Sequence, residues 1–124
     1  KPLSTYSAMS RSSALGKKGE EMAASLLASK GFEIVCKNYK TKHGEIDIIC
    51  KKGADLLFVE VKRRSGDSFG TPLESLPAKR VKRMADAAMA FLSENPEFQE
   101  SQIQLALVGI SDGKTCIVSV DCNI

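Results

Sequence analysis

An α/β fold in the order helix, three strands, helix, two strands is predicted by three observations. Two segments carry apolar residues at helical spacing, five shorter ones are rich in β-branched and aromatic residues, and turn-forming residues separate them. With 124 residues the chain is long enough for one core and too short for two. Residues 1–11 are polar and aperiodic and read as a flexible arm, and residues 12–124 as a single domain.

Each element has its own signal. Ser12 or Ser13 can cap a first helix that runs to about Lys30, where Gly31 supplies a left-handed stop. Leu15, Gly19, Met22, Ala23, Leu26 and Leu27 form its buried stripe, with Glu20 at the stripe's edge and Glu21 further out. Strands are expected at Phe32–Tyr39, Glu45–Lys51 and Leu56–Arg63, joined by the turns Thr41-Lys42-His43-Gly44 and Lys52-Gly53-Ala54-Asp55. Such short turns make these neighbours antiparallel. By strand parity Asp47 shares a face with Glu45 and Ile49, and Glu60 and Lys62 share one with Leu56 and Phe58. After a Gly/Ser/Pro-containing loop at Ser65–Leu76, a second helix from about Pro77 to Glu94 carries Val81, Met84, Ala85, Ala88, Phe91 and Leu92 on one face. Asn95-Pro96 ends it, and Ile103–Ile110 and Thr115–Asp121 read as strands joined by Ser111-Asp112-Gly113-Lys114.

The net charge is only +3, but the basic residues are concentrated. Between Lys37 and Arg83 twelve basic residues face six acidic ones, and after Arg83 only Lys114 is basic. That distribution favours a polyanionic partner over a merely solvated surface. No apolar run approaches the roughly 20 residues that span a bilayer and no signal-peptide pattern opens the chain, so no membrane partner and a cytoplasmic location are expected. The four cysteines form no Cys-x-x-Cys pair and His43 is the sole histidine, which excludes a structural zinc site. Cys36, Cys50 and Cys116 lie in strand segments and read as buried thiols.

Charged residues inside two of the strands carry the functional signal. Asp47 interrupts Glu45-Ile46-Asp47-Ile48-Ile49, and Glu60 and Lys62 interrupt Phe58-Val59-Glu60-Val61-Lys62. Desolvating such groups is costly unless something compensates. Asp47 and Glu60 on adjacent strands could supply two hard oxygen ligands to Mg²⁺, with the Val61 carbonyl as a third. Lys62 would orient or deprotonate the attacking water, or stabilise charge on a scissile phosphate. Glu20 could reach across from the first helix to hold a water of the metal shell or a second ion. Taken alone, Glu60-Val61-Lys62 is also what a half-exposed strand shows, and an exposed Asp47–Lys62 ion pair would contribute only ~0.2–1 kcal/mol. It is the ordering of four such residues on successive elements that favours a site.

That ordering resembles the PD-(D/E)XK nuclease superfamily, and more closely its YraN-like family of small bacterial proteins. The matching pieces are Gly19-Glu20-Glu21-Met22-Ala23, Asn38-Tyr39, Gly44-Glu45-Ile46-Asp47-Ile48-Ile49, Phe58-Val59-Glu60-Val61-Lys62-Arg63-Arg64, Phe69-Gly70 and the basic helix through Ala87-Ala88 and Phe91-Leu92. They extend from about Leu15 to Ile110. The resemblance implies a restriction-endonuclease-like fold with a central mixed sheet flanked by helices. It also implies a nuclease site dependent on Mg²⁺ or Mn²⁺, built from Glu20, Asp47, Glu60 and Lys62. One departure stands out: where the family carries an Arg-Phe-Asp motif after the second helix, this chain has Gln104-Leu105-Ala106. The family's lysine near the start of that helix corresponds to Lys79 or Arg80.

Among the remaining candidates, Arg63, Arg64, Lys79, Arg80, Lys82 and Arg83 are expected to contact nucleic-acid phosphates or, equally, to serve solubility. Tyr39 and Phe69 could stack on bases or anchor the core. His43 reads as an exposed turn residue. The expected function is a metal-dependent endonuclease acting on nucleic acid, with DNA favoured. The alternatives are a non-catalytic nucleic-acid-binding module, or a toxin-type nuclease domain cut from a larger protein, which the absence of an initiator Met permits and which would bring an immunity protein as partner. A homodimer is expected only by analogy with nucleases that cut both strands.

Overall fold

The computed structural model describes residues 14–64, 76–111 and 114–120, with side chains described from residue 18 to residue 63 in the first stretch. The expected N-terminal arm, the Ser12 or Ser13 cap and Phe69-Gly70 lie outside the described residues. The elements are α1 (Ala14–Ser29), β1 (Glu33–Thr41), β2 (Gly44–Lys52), β3 (Asp55–Arg64), α2 (Ala78–Glu94), β4 (Gln102–Ser111) and β5 (Lys114–Val120). This is the predicted α-β-β-β-α-β-β order. A single 3-10 turn at Pro96–Phe98, not expected from the sequence, follows α2.

The strands form one five-stranded sheet in sequential order. β1–β2, β2–β3 and β4–β5 pair antiparallel, whereas β3 and β4 run parallel in unbroken register from Asp55↔Gln102 to Arg64↔Ser111. A parallel pair needs a crossover, and α2 supplies it. The sheet is therefore mixed, as expected, with one helix on each face. On one side Met84, Ala85, Ala88 and Phe91 of α2 pack against Ile49, Leu56, Phe58 and Leu107. On the other, Ala23 and Leu27 of α1 pack against Ile48, Val59, Ala106 and Val108. Phe91 anchors the first layer, with edge-on contacts to Tyr39 and Phe58 at ring centroid distances of 5.3 and 5.8 Å.

The ends of the helices follow from local chemistry. Gly31 adopts φ +92°, and the Gly31 and Phe32 amides donate to the carbonyls of Ala28 and Leu27, each at 3.0 Å. These two bonds satisfy carbonyls that the helix end would otherwise leave bare, and Phe32 and Leu27 share the same core. At the end of α2, buried Asn95 donates from its side chain to the Phe91 carbonyl at 2.9 Å.

The helices are tied to the β1–β2 hairpin by a close backbone approach. A Cβ added at Gly44 would sit 2.7 Å from the Arg83 carbonyl oxygen. Only glycine lets the start of β2 lie this near α2. Gly44→Ala should therefore destabilise the protein by about 1–3 kcal/mol, the usual cost of overpacking. Urea denaturation of the two proteins measures it, and an unchanged midpoint would show that the two backbones separate freely.

Candidate metal and phosphate site

The site lies where β2 parts from β3. Pairing between these strands ends at Ile48↔Val59. One residue further along β2, the Asp47 Oδ2 accepts the Val61 amide at 2.8 Å. A carboxylate thus takes the place of a backbone carbonyl, so the unpaired amide of β3 stays satisfied and the strands can splay.

Strand parity fails at the same point. Ile46 and Ile49, three residues apart, both face α2, and so do Cys36 and Tyr39 on β1. Strict alternation from Ile49 would send Ile46 to the other side. Asn38, the residue opposite Asp47 by the flanking register Lys37↔Ile48 and Tyr39↔Ile46, adopts φ +55°. Its left-handed backbone resets which face the hairpin presents. The expectation that Asp47 simply shares a face with Glu45 and Ile49 is corrected accordingly: Glu45 is exposed and pairs with Lys40 at 3.5 Å, while Asp47 is half-buried in the splay.

Two other predicted site residues, Glu60 and Glu20, lie close enough to Asp47 to act on its charge. Burial and the neighbouring Glu60 carboxylate push the Asp47 carboxyl up to about 7, with a further push from Glu20, while the Val61 amide and Arg80 oppose the rise. Glu60 continues the α2-facing side of β3 and is ion-paired to Arg80, both side chains being largely buried at 12% and 20% exposure. Glu20 arrives from α1, half-buried, and its Oε1 accepts the Asn38 side-chain amide at 3.3 Å. Lys62 is half-buried two residues beyond Glu60, and has no ion-pair or hydrogen-bond partner among the described residues.

These residues fit a divalent cation. The carboxylates supply hard oxygen donors, and Asp47 retains more negative charge around it than Val61 and Arg80 offset. Among the described residues no three His, Cys, Asp or Glu side chains are grouped so that together they could hold a metal ion. Magnesium does not require three, since one or two carboxylates, waters and a phosphate complete its shell. Of the described thiols, burial pushes Cys36 up to about 11 and Cys50 up to about 12, keeping both protonated, while Cys116, expected to be buried, is only half-buried.

The basic residues divide rather than cluster. Arg80 turns inward, its Nη2 donating to Glu60 Oε1 and to the Glu45 carbonyl at 3.0 Å. Lys79 and Arg83 are exposed, and Lys82 pairs with Asp86 at 3.3 Å. Arg63 lies on the α1 side, its Cδ 3.0 Å from where a Cβ on Gly19 would stand. The side chain of Arg64 lies outside the described residues. Tyr39 is buried and its hydroxyl donates to Glu94 at 2.9 Å, so it is a core aromatic and not a base-stacking one. His43 is exposed in its turn, as expected. At the departing motif, Gln104 donates to Ser119 at 2.9 Å and Ala106 is buried against α1, so neither brings charge to the site.

Comparison with known proteins places this geometry in a family. The model of the uncharacterised protein family UPF0102 matches residues 19–110. The chain belongs to UPF0102. A UPF0102 protein of Syntrophomonas wolfei is 36% identical over 104 residues, covering 83% of this chain and 90% of the relative. One from Frankia alni is 39% identical over 94 residues, with 76% and 78% coverage. One from Rhodococcus opacus is 36% identical over 105 residues, with 85% and 88% coverage. The UPF0102 match spans Glu20, Asn38, Asp47, Glu60, Lys62 and Arg80 together. The crystal structure of SSO0001 superposes with a TM-score of 0.43 at 14% identity, covering 89% of this chain and 52% of its own, a likeness too slight to carry an argument. Among the described residues no helix is long and apolar enough to cross a membrane.

Sequence reasoning leaves Asn38 out of the candidate site, although an Asn amid strand residues is a signal for left-handed backbone. It gives Lys79 or Arg80 as the match to the family's lysine, and the place of Arg80 one turn before Met84 on the helix's buried face singles it out.

Two predictions follow from this electrostatic balance. An unfolded Asp titrates near 4. Because folded Asp47 holds its proton up to about 7, its contribution to stability is greatest below the unfolded value and is lost as pH rises to about 7. In metal-free protein Asp47→Asn should therefore be stabilising at pH 7.5 relative to wild type, with the advantage shrinking towards pH 4. Urea titrations at both ends of that window decide it, and a difference independent of pH would contradict the assignment. Asn38→Gly should keep the left-handed backbone and fold normally while freeing Glu20, so Mn²⁺ binding should weaken with little change in melting temperature. Calorimetric titration alongside a thermal melt separates the two effects.

Proposed function

We propose that the protein is a metal-dependent endonuclease that hydrolyses phosphodiester bonds of nucleic acid, DNA in preference to RNA. The observation that carries the reading is that Glu20 and Glu60, from two other elements, both act on Asp47 where β2 parts from β3, with Lys62 two residues beyond Glu60 on the same strand. The resemblance to PD-(D/E)XK nucleases in the same four positions supports it.

Asp47, Glu60 and the Val61 carbonyl would hold a Mg²⁺ or Mn²⁺, with Glu20 acting through water. Such an ion supplies Lewis-acid polarisation of the phosphoryl oxygens and lowers the pKa of water to make a nucleophile at neutral pH. The Val61 amide fixes Asp47 through Oδ2. Glu20 is held by Asn38 and so faces Asp47 rather than solvent. Lys62, with no competing partner among the described residues, orients the attacking water or steadies negative charge on the phosphate.

Incubation with plasmid, branched and single-stranded DNA and with tRNA, in Mg²⁺, Mn²⁺ or chelator, tests the reading. Cleavage should require metal, and Glu60→Ala and Lys62→Ala should each reduce it by roughly 10²–10⁴-fold, the range for removing a group that moves or positions a proton. Cleavage that survives both substitutions would come from a contaminant and sink the proposal. Binding without cleavage under every metal would make the protein a nucleic-acid-binding module.

A further inference from the structure

Four basic residues open α2, and they do not behave alike. Lys79 and Arg83 point to solvent and Lys82 pairs within its own helix. Arg80 alone among them reaches the sheet, where it bonds the Glu60 carboxylate and the Glu45 carbonyl through one nitrogen, Nη2. A guanidinium carries five N–H donors in a rigid fork. Its remaining donors have no acceptor among the described residues. So a largely buried cation sits on the Glu60 carboxylate, and among the described residues only its Nη2 is engaged.

We propose that Arg80 is the site's built-in cation: it holds Glu60 until a divalent ion takes that carboxylate, and the released guanidinium then binds a phosphate of the nucleic acid. The inference rests on the metal-dependent reading above and adds an order of loading to it. The physical argument has two parts. Removing one partner of a buried ion pair leaves the other charge uncompensated, so Arg80 and a metal exchange places on Glu60 more readily than either leaves it empty. Displaced Arg80 then stands at the N-terminal turn of α2, where the helix dipole disfavours an unneutralised cation and favours an anion. A phosphate there resolves both problems. Metal and nucleic acid therefore each favour the arrangement the other needs, and by linkage the coupling is reciprocal.

The test uses the whole chain, with Mn²⁺ binding followed by calorimetry. A short single-stranded oligonucleotide is followed by fluorescence anisotropy, with Ca²⁺ replacing Mn²⁺ where cleavage intervenes. In wild type each ligand should tighten the other by roughly 5–150-fold, the usual range for coupled sites. Arg80→Gln should bind Mn²⁺ more tightly than wild type in the absence of nucleic acid, and the coupling should fall to near unity. Arg80→Lys keeps the charge but loses the fork, so it too should bind Mn²⁺ more tightly. A general field effect would leave the lysine variant unchanged, and that result overturns the proposal. Should Arg80→Gln fail to fold in a thermal melt, the lysine variant carries the comparison. Coupling that persists in a folded Arg80 variant also overturns it while leaving the metal site intact. If neither wild type nor variant binds a divalent ion, the metal reading falls and this inference with it. Metal binding by the variants alone would support Arg80 as the competitor.

Discussion

The bond from the Val61 amide to the Asp47 carboxylate is the constraint on which the functional end of the molecule depends. A strand that leaves its neighbour exposes amides that must find acceptors. Here an acidic side chain provides one, so β2 can turn away from β3 without leaving a buried donor bare. Once it does, Asn38 takes up a left-handed backbone opposite, and Tyr39 and Ile46 turn into the α2 core. Gly44 then comes to rest on the Arg83 backbone. That docking places α2 so that Arg80 reaches Glu60. A single polar substitution for a ladder bond thus positions groups on four elements.

The local energetics run against stability. A half-buried Asp between two other carboxylates, a left-handed Asn and a cation in the first turn of a helix are each unfavourable in isolation. Phe91, Phe58, Tyr39 and Met84, fully or nearly fully buried a few residues away, are what make this tolerable. The surface pairs Lys40–Glu45 and Lys82–Asp86 add little, since exposed pairs are worth about 0–1 kcal/mol. Arg80–Glu60 differs in kind. Its partners are largely out of water, so its presence or absence changes the charge of the site rather than the stability of the surface.

Much of this was legible in the sequence, for reasons that mark the boundary of such reading. Element order and type followed from periodicity, and all seven elements lie within two residues of their expected ends. The stripe on α2 was correct because Met84, Ala85, Ala88, Phe91 and Leu92 repeat at helical spacing and are buried. Asp47, Glu60 and Lys62 stood out because charge inside apolar, β-branched runs needs a cause, and Glu20 because it lies at the edge of the buried stripe of α1. What could not be read were the features set by a break in regularity. Parity extrapolates a regular strand, so it failed at Asn38, where one residue at φ +55° shifts every side chain beyond it. Composition counts charges without direction, so it does not separate Arg80 from Lys79. The Pro96–Phe98 turn was read only as a helix stop, since proline ends one helix and starts another equally well.

Direction also narrows which basic residues can serve one ligand. Under the proposed function a phosphate backbone passing the metal site would run along the α2 face, because Glu60 and Arg80 meet there. Arg63 cannot share that path. It alternates to the α1 side of β3, and its stem lies along Gly19. Lys82 is drawn along the helix by Asp86. Lys62, Arg80, Lys79 and Arg83 remain, and Lys42 and His43 of the hairpin turn directly precede Gly44, which packs on the Arg83 backbone. Those two turn residues are exposed and were not part of the basic set expected from the sequence. The glycine that docks the helix therefore also brings this turn towards α2. The sheet divides the two arginines that can be placed by contact: Arg80 meets Glu60 on the α2 side, and Arg63 lies against α1.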